Sequence, residues 1–208
     1  MSEERLEEIR NGLVKDLAGA DLRGVSLRLA NLGGADLKGA NLLGADLKGA
    51  NLYGADLTKA NLGGAYLKGA ELTKARLEGA CLSGAILREA DLRKANLYEA
   101  DLYRADLSWA DLIGANLRDA DLRSANLSVA TLTGANLQSA RLEEAWLVEA
   151  NLTGADLREA DLDLADLYKA NLTGADLTLA SLIGVDLSQV KWEDEKPPLW
   201  PERFTPPE

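Results

Sequence analysis

The sequence predicts an all-β solenoid that turns a corner every five residues, and three observations predict it. Every fifth residue from Leu17 to Leu187 is leucine. Two positions before nearly all of them stands alanine, from Ala20 to Ala180, with Val25 the one exception and Val185 and Val190 continuing the column. Between the two the chain usually places Asp or Asn, as in Ala35-Asp36-Leu37 and Ala40-Asn41-Leu42, so the unit reads A-(D/N)-L-x-x. Self-similarity at a fixed period marks a repeat architecture, and here it runs over residues 17–190.

The period of five excludes regular elements. On a continuous α-helix successive leucines would be rotated by about 140° and scattered around the axis. On a continuous strand an odd spacing would send alternate leucines to opposite faces. A chain that turns once per repeat buries the pattern. Ala and Leu are two residues apart, so in a short extended segment both point inward while the Asp or Asn between them points out. The next two residues form the corner. Glycine is frequent at the second corner position, as in Gly34, Gly54, Gly114, Gly134, Gly154 and Gly174, where a type II turn requires positive φ.

A-(D/N)-L-x-x repeated without interruption over residues 17–190 resembles the pentapeptide-repeat protein family. The resemblance implies a right-handed quadrilateral β-solenoid with four pentapeptides per coil. At one strand spacing per coil, about nine coils make a rod roughly 40 Å long.

Both ends of such a rod need covering, because they expose core and backbone edges. Residues 1–16 read as an N-terminal capping helix, with Ser2 as N-cap, Glu3 and Glu4 in the first turn and Gly12 at the stop. Leu6, Ile9 and Leu13 are expected on one face, over the first coil. In the segment 191–208 the repeat is lost and prolines appear at 197, 198, 201, 206 and 207, which block a helix. Trp192 takes the slot of the next leucine, and Leu199, Trp200 and Phe204 are expected to fold back as a lid.

Little in the chain suggests chemistry. There is no histidine, so imidazole catalysis and His-ligated metals are excluded. Cys81 is the one cysteine, and nothing activates it as a nucleophile. No phosphate-binding glycine loop precedes a helix. The expectation is a non-enzyme without cofactor or metal. The net charge of −11 disfavours direct nucleic-acid binding. The acidic N-terminus lacks signal-peptide character, no apolar run reaches membrane-spanning length, and a cytoplasmic monomer is expected.

The outer surface therefore has to carry the function. Residues twenty apart stack on one face. The face of Asp36, Asp56, Asp156 and Asp176 and the next one around, starting at Asp21, are acidic. The face of Gly34 and Gly54 is small and nearly neutral, with a ladder of Thr133, Thr153 and Thr173. The fourth face departs most from the repeat. It carries Tyr66, Ile86, Trp109, Val129, Trp146, Val148 and Tyr168, beside a basic ladder of Arg28, Lys48, Lys68 and Arg88. Contiguous exposed aromatics mark contact sites, and stacking of like residues between coils gives the same pattern without a partner. Two readings of function follow. One is a scaffold presenting this face to another protein. The other is mimicry of DNA, since some proteins of the similar family bind DNA gyrase or topoisomerase IV through an acidic rod. Against mimicry stand Arg76, Arg118, Arg123, Arg141 and Arg158, which dilute the acidic faces, and a proline-rich tail in place of an apolar dimerising helix.

Overall fold

Successive coils of this chain are joined by parallel bridges that advance by twenty residues, from Asp16 with Asp36 to Asn171 with Lys191. The computed structural model describes residues 2–202 and 204–205. Twenty residues per coil are four pentapeptides, so each coil has four corners, and each pentapeptide contributes one bridged residue to the ladder rather than a longer strand.

One unit shows why the repeat folds this way, because all five of its N–H groups find partners. Asp36 N–H donates to Lys15 C=O at 2.8 Å, Leu37 N–H to Asp56 C=O at 2.7 Å, and Gly39 N–H to Thr58 C=O at 2.9 Å. Ala40 N–H closes the corner on Leu37 C=O at 3.0 Å. The fifth donor, Lys38 N–H, goes to Asp36 Oδ1 at 3.1 Å. The Asp or Asn of each unit is thus more than a solvated surface residue. Its carboxylate or amide oxygen satisfies the first corner N–H two residues on, an Asx turn. The bond recurs at Leu43, Tyr53, Thr153 and Tyr168 N–H, among others.

The leucines and alanines fill the interior as one column, fully buried from Leu27 to Leu177. Positive φ holds at the second corner whether or not glycine stands there: Gly54 has φ 61° and Glu99 has φ 55°. An L-residue in this region costs roughly 1–2 kcal/mol, and the ladder on both sides of the corner holds it there.

Helix α1 spans Glu3–Arg10, with Ser2 Oγ accepting from Arg5 N–H at 3.2 Å. It ends in a Schellman turn, Gly12 N–H to Ile9 C=O at 3.0 Å and Leu13 N–H to Glu8 C=O at 2.9 Å. Gly12 has φ 72°, and a Cβ there would lie 2.6 Å from the Asn31 carbonyl oxygen, so only glycine fits. Ile9 is buried and Leu6 packs against the core, but Leu13 is 77% exposed. The expectation for Leu13 is corrected: the chain reverses at Gly12 and carries Leu13 off the helical face. The end of α1 meets the first coil where Asn31 N–H donates to Arg10 C=O at 2.8 Å.

At the other end, Leu172 N–H donates to Lys191 C=O at 2.8 Å and Leu177 N–H to Leu199 C=O at 2.7 Å. The register slips from twenty to twenty-three residues between these bonds, because a turn closed by Lys196 N–H on Glu193 C=O intervenes. Leu199 therefore contributes its backbone while its side chain stays exposed, and Trp200 packs on the core. Trp192 meets Trp200 edge-on at 5.9 Å, and Phe204 stacks on Trp200 at 5.2 Å. Pro206 and Pro207, also part of the expected tail, lie outside the described residues.

Candidate functional site

The ladder fixes the outward columns, so the face singled out by sequence can be followed coil by coil. Leu29 N–H bonds to Lys48 C=O, Gly49 N–H to Lys68 C=O, and Gly69 N–H to Arg88 C=O, which sets the four cations on adjacent coils. Farther along, Trp109 N–H bonds to Ser128 C=O, Val129 N–H to Val148 C=O and Glu149 N–H to Tyr168 C=O. The basic and the aromatic stretches thus lie end to end on one side of the rod.

Trp109 is 59%, Trp146 58% and Tyr66 42% exposed, while Ile86, Val129, Val148 and Tyr168 are half-buried. Among the described residues the stacked aromatic rings are those of the tail, and no two rings of this strip stack on each other. Lys48 Nζ sits 4.8 Å from the Tyr66 ring centre, and Lys169 Nζ 4.9 Å from that of Tyr168. Arg28 pairs with Asp46 at 3.3 Å and Lys68 with Glu89 at 3.2 Å, both at the surface. Tyr66, Ile86 and Trp146 stand where Asp or Asn would accept the corner N–H. Lys68, Arg88 and Val148 N–H accordingly have no protein acceptor among the described residues.

The acidic faces are built differently. In their Asp-Leu-Arg units Arg23 pairs with Asp21 and Arg158 with Asp156, each at 2.6 Å, and Arg123 with Asp121 at 2.5 Å, while Arg93 pairs with Asp91 in the same way on the face of Gly34 and Gly54. Pairs also cross between coils, Arg76 to Asp56 at 2.9 Å and Lys38 to Asp56 at 3.2 Å. The guanidinium hydrogen bonds hold the carboxyls of Asp91, Asp121 and Asp156 below the usual range, against a smaller opposing effect of burial. Burial pushes the Asp56 carboxyl up, but hydrogen bonds from Thr58 and Lys38 and the charge of Arg76 bring it below its usual value. The sequence reading takes Arg123 and Arg158 as dilution of charge; the structure shows that each chelates the aspartate two residues before it, as Arg23 and Arg93 also do. The spacing D-L-R carried that signal.

Two shallow hollows lie between coils. One, of about 310 Å³, is lined by Tyr103, Arg123, Ser124, Glu143 and Glu144, and Arg104 and Arg123 already cover the Tyr103 ring at 5.0 and 5.5 Å. The other, of about 420 Å³, lies by Asn151, Lys169, Asn171 and Lys191. Cys81 is half-buried beside Asp101, with Sγ 3.7 Å from Oδ2. Among the described residues no helix is long and apolar enough to cross a membrane.

The family model for pentapeptide repeats matches in eight copies that tile residues 16–191. The chain belongs to the pentapeptide-repeat family. Over 93% of its length it is similar to HetL of the cyanobacterium Nostoc sp. strain PCC 7120, a pentapeptide repeat protein involved in regulation of heterocyst differentiation. The identity is 39%, 97% of HetL is covered and the TM-score is 0.50. Full-length QnrB1, a plasmid-mediated fluoroquinolone resistance protein, aligns at 23% identity over 84% of this chain and 92% of its own, with a TM-score of 0.42. A pentapeptide repeat protein of the Arabidopsis thaliana thylakoid lumen aligns at 33% identity over 48% of this chain and 66% of its own, with a TM-score of 0.38. A search of curated proteins returns no match.

Proposed function

We propose that this pentapeptide-repeat protein is a non-enzymatic interaction scaffold whose binding face is the strip of Tyr66, Ile86, Trp109, Val129, Trp146, Val148 and Tyr168 with its basic ladder. The observation that carries the reading is the state of the two tryptophans: both are more than half exposed, on a face where no ring stacks on another. Inter-coil stacking of aromatics, which would account for them structurally, is thus unsupported. Tryptophan and tyrosine supply the largest contact energies at protein interfaces. The departures from Asp or Asn at Tyr66, Ile86 and Trp146 also forgo a corner hydrogen bond, worth about 0.5–1.5 kcal/mol each. Units on the other faces, such as those of Arg76, Cys81 and Arg141, forgo the same bond, so it is the exposed rings that single this face out. The likeness to HetL over nearly the whole chain favours a regulatory role.

The DNA-mimic reading draws on the net charge of −11, but Arg76, Arg123 and Arg158 pair with Asp56, Asp121 and Asp156 and reduce the charge that would imitate phosphates on the acidic faces. It predicts stoichiometric inhibition of gyrase supercoiling, competed by linear duplex DNA, and the scaffold reading predicts none. The right-handed wind, the capping roles of α1 and the tail, a monomeric state and a cytoplasmic location belong to the same proposal. Ile9 and Trp200 packed against the core support the capping roles.

A photo-crosslinking amino acid placed at Val129 tests the binding face. In the native cell it should trap a discrete protein, while the same group at Gln138, on the opposite side of the rod, traps none. Equal yields from the two positions would remove the strip from consideration.

A further inference from the structure

Resting on that reading of the strip, we propose that its partner is an α-helix lying along the rod, acidic over Arg28, Lys48, Lys68 and Arg88 and apolar over Trp109 and Trp146. The inference comes from register. The four cations occupy the same corner of four adjacent coils, locked there by the ladder bonds at Leu29, Gly49 and Gly69 N–H. They therefore repeat at about one strand spacing, 4.8 Å. Facing side chains of a helix repeat about every 5.4 Å, so over three steps the two rows drift apart by only about 1.8 Å, within reach of flexible Lys and Arg side chains. Facing side chains of an extended chain repeat about every 6.7 Å, and over the same three steps the drift is about 5.7 Å. A helix matches the column and a strand does not.

Charge selects the acidic half. Between Arg28 and Glu89 this face holds four cations against Asp46 and Glu89, a local excess of two, although the chain carries −11. At physiological salt the Debye length is about 8 Å, so acidic faces farther around the rod are largely screened. The existing pairs, Arg28 with Asp46 and Lys68 with Glu89, are surface pairs, of the weak kind that an incoming carboxylate exchanges with. Lys48 is turned onto Tyr66 rather than onto a carboxylate, and Arg88 has no ion pair among the described residues. Beyond them the strip changes to Trp109, Val129 and Trp146, set among Ser108, Ser128 and Glu149, and these apolar side chains fit the apolar face of the same helix. From Arg28 to Tyr168 the strip crosses seven coil spacings, about 34 Å, the length of a helix of about 23 residues.

A synthetic peptide of about 24 residues tests this, with glutamate at one helical face of its first half and leucine at that face of its second. Binding to the full chain is followed by fluorescence anisotropy, and the bound conformation by backbone carbon chemical shifts. The peptide should bind as a helix, more weakly as salt rises, while a scrambled peptide of equal composition should not bind. Lys48→Glu with Lys68→Glu should weaken binding by roughly tenfold or more, as should Trp109→Ser with Trp146→Ser. Absence of binding, an extended bound peptide, equal binding of the scramble, or tighter binding of a thymidine oligonucleotide of similar length would each overturn the proposal. If the tryptophan pair weakens binding and the lysine pair does not, the acidic helix is wrong while the strip stands. If a crosslinker at Val129 traps nothing in the cell, the strip itself is wrong.

Discussion

The face around Asp121 and the face around Trp109 rest on the same leucine column and the same ladder, yet they use their outward side chains in opposite ways. Asp121 accepts from Arg123 N–H at 3.2 Å and from Arg123 Nε at 2.8 Å, and lies 3.7 Å from Arg141. Asp121 is thus occupied by groups of its own fold. Trp109 stands at a corner with φ 64°, 59% exposed and with no ring against it. A solenoid needs from an outward position only that it spare the corner and, where it can, satisfy the corner N–H. Asp121 does both, while Trp146 forgoes the corner bond, as Arg141 does beside Asp121, and presents exposed aromatic surface instead. The difference teaches that the paired charge around Asp121 serves the fold, while the exposed aromatic surface is available for recognition.

The comparison presupposes the common core, and the largest expected effect tests that. Leu107 is fully buried, and Leu107→Ala should destabilise by about 2–5 kcal/mol through the cavity it leaves. Asp106→Asn, one residue away, keeps the Oδ1 that accepts from Ser108 N–H and should cost under about 0.5 kcal/mol. Equal denaturation midpoints for the two would mean that the inward and outward columns are misassigned. On the acidic face, Asp121→Ala strands Arg123 N–H and its guanidinium, and should cost about 1–2 kcal/mol. Asp121→Asn retains an acceptor and should cost less than half of that. If Asp121→Ala were neutral in chemical denaturation, the aspartates would be mere surface charge and the contrast between faces would vanish.

A pH titration sharpens the same point. The carboxyls of Asp91, Asp121 and Asp156 titrate below their ordinary value in the folded chain, chiefly through the guanidinium hydrogen bonds. Depressed folded values mean that their stabilisation is complete above the unfolded carboxylate pKa of about 3.9 and is lost as pH falls through the folded values. The thermal midpoint should therefore be flat down to about pH 5 and fall below about pH 4. The triple variant Asp91→Asn, Asp121→Asn and Asp156→Asn should show a shallower acid limb. An unchanged limb would place the acid sensitivity elsewhere.

Much of this architecture was readable from residue types alone. The leucine and alanine columns could go nowhere but inside, and glycines such as Gly34 and Gly54 announced the positive-φ corner. Twenty residues per coil was not readable, because a five-residue period closes equally well with other numbers of corners; the inter-coil bonds decide it. The Asx turns were half visible. Asp and Asn are favoured where Glu appears once, at Glu71, because only the shorter side chain reaches the N–H two residues on. Leu13 misled because it continues the apolar spacing of Leu6 and Ile9 past the stop at Gly12, whose φ of 72° turns the chain off the helical face. The columns of the candidate strip were legible by counting in twenties. The exposure of Trp109 and Trp146 was not, since an outward ring can as readily lie flat along the side chains of the next coil.

The central claim, that the strip serves a partner and not the fold, is tested most directly by the thermal midpoint of Trp109→Ser with Trp146→Ser, measured beside capture of the crosslinked partner. At this chain length about 1 kcal/mol moves the midpoint by roughly 2–4 °C. The account predicts a midpoint within about 2 °C of the parent chain together with loss of the partner. A variant that unfolds several degrees earlier and still captures the same protein would contradict it.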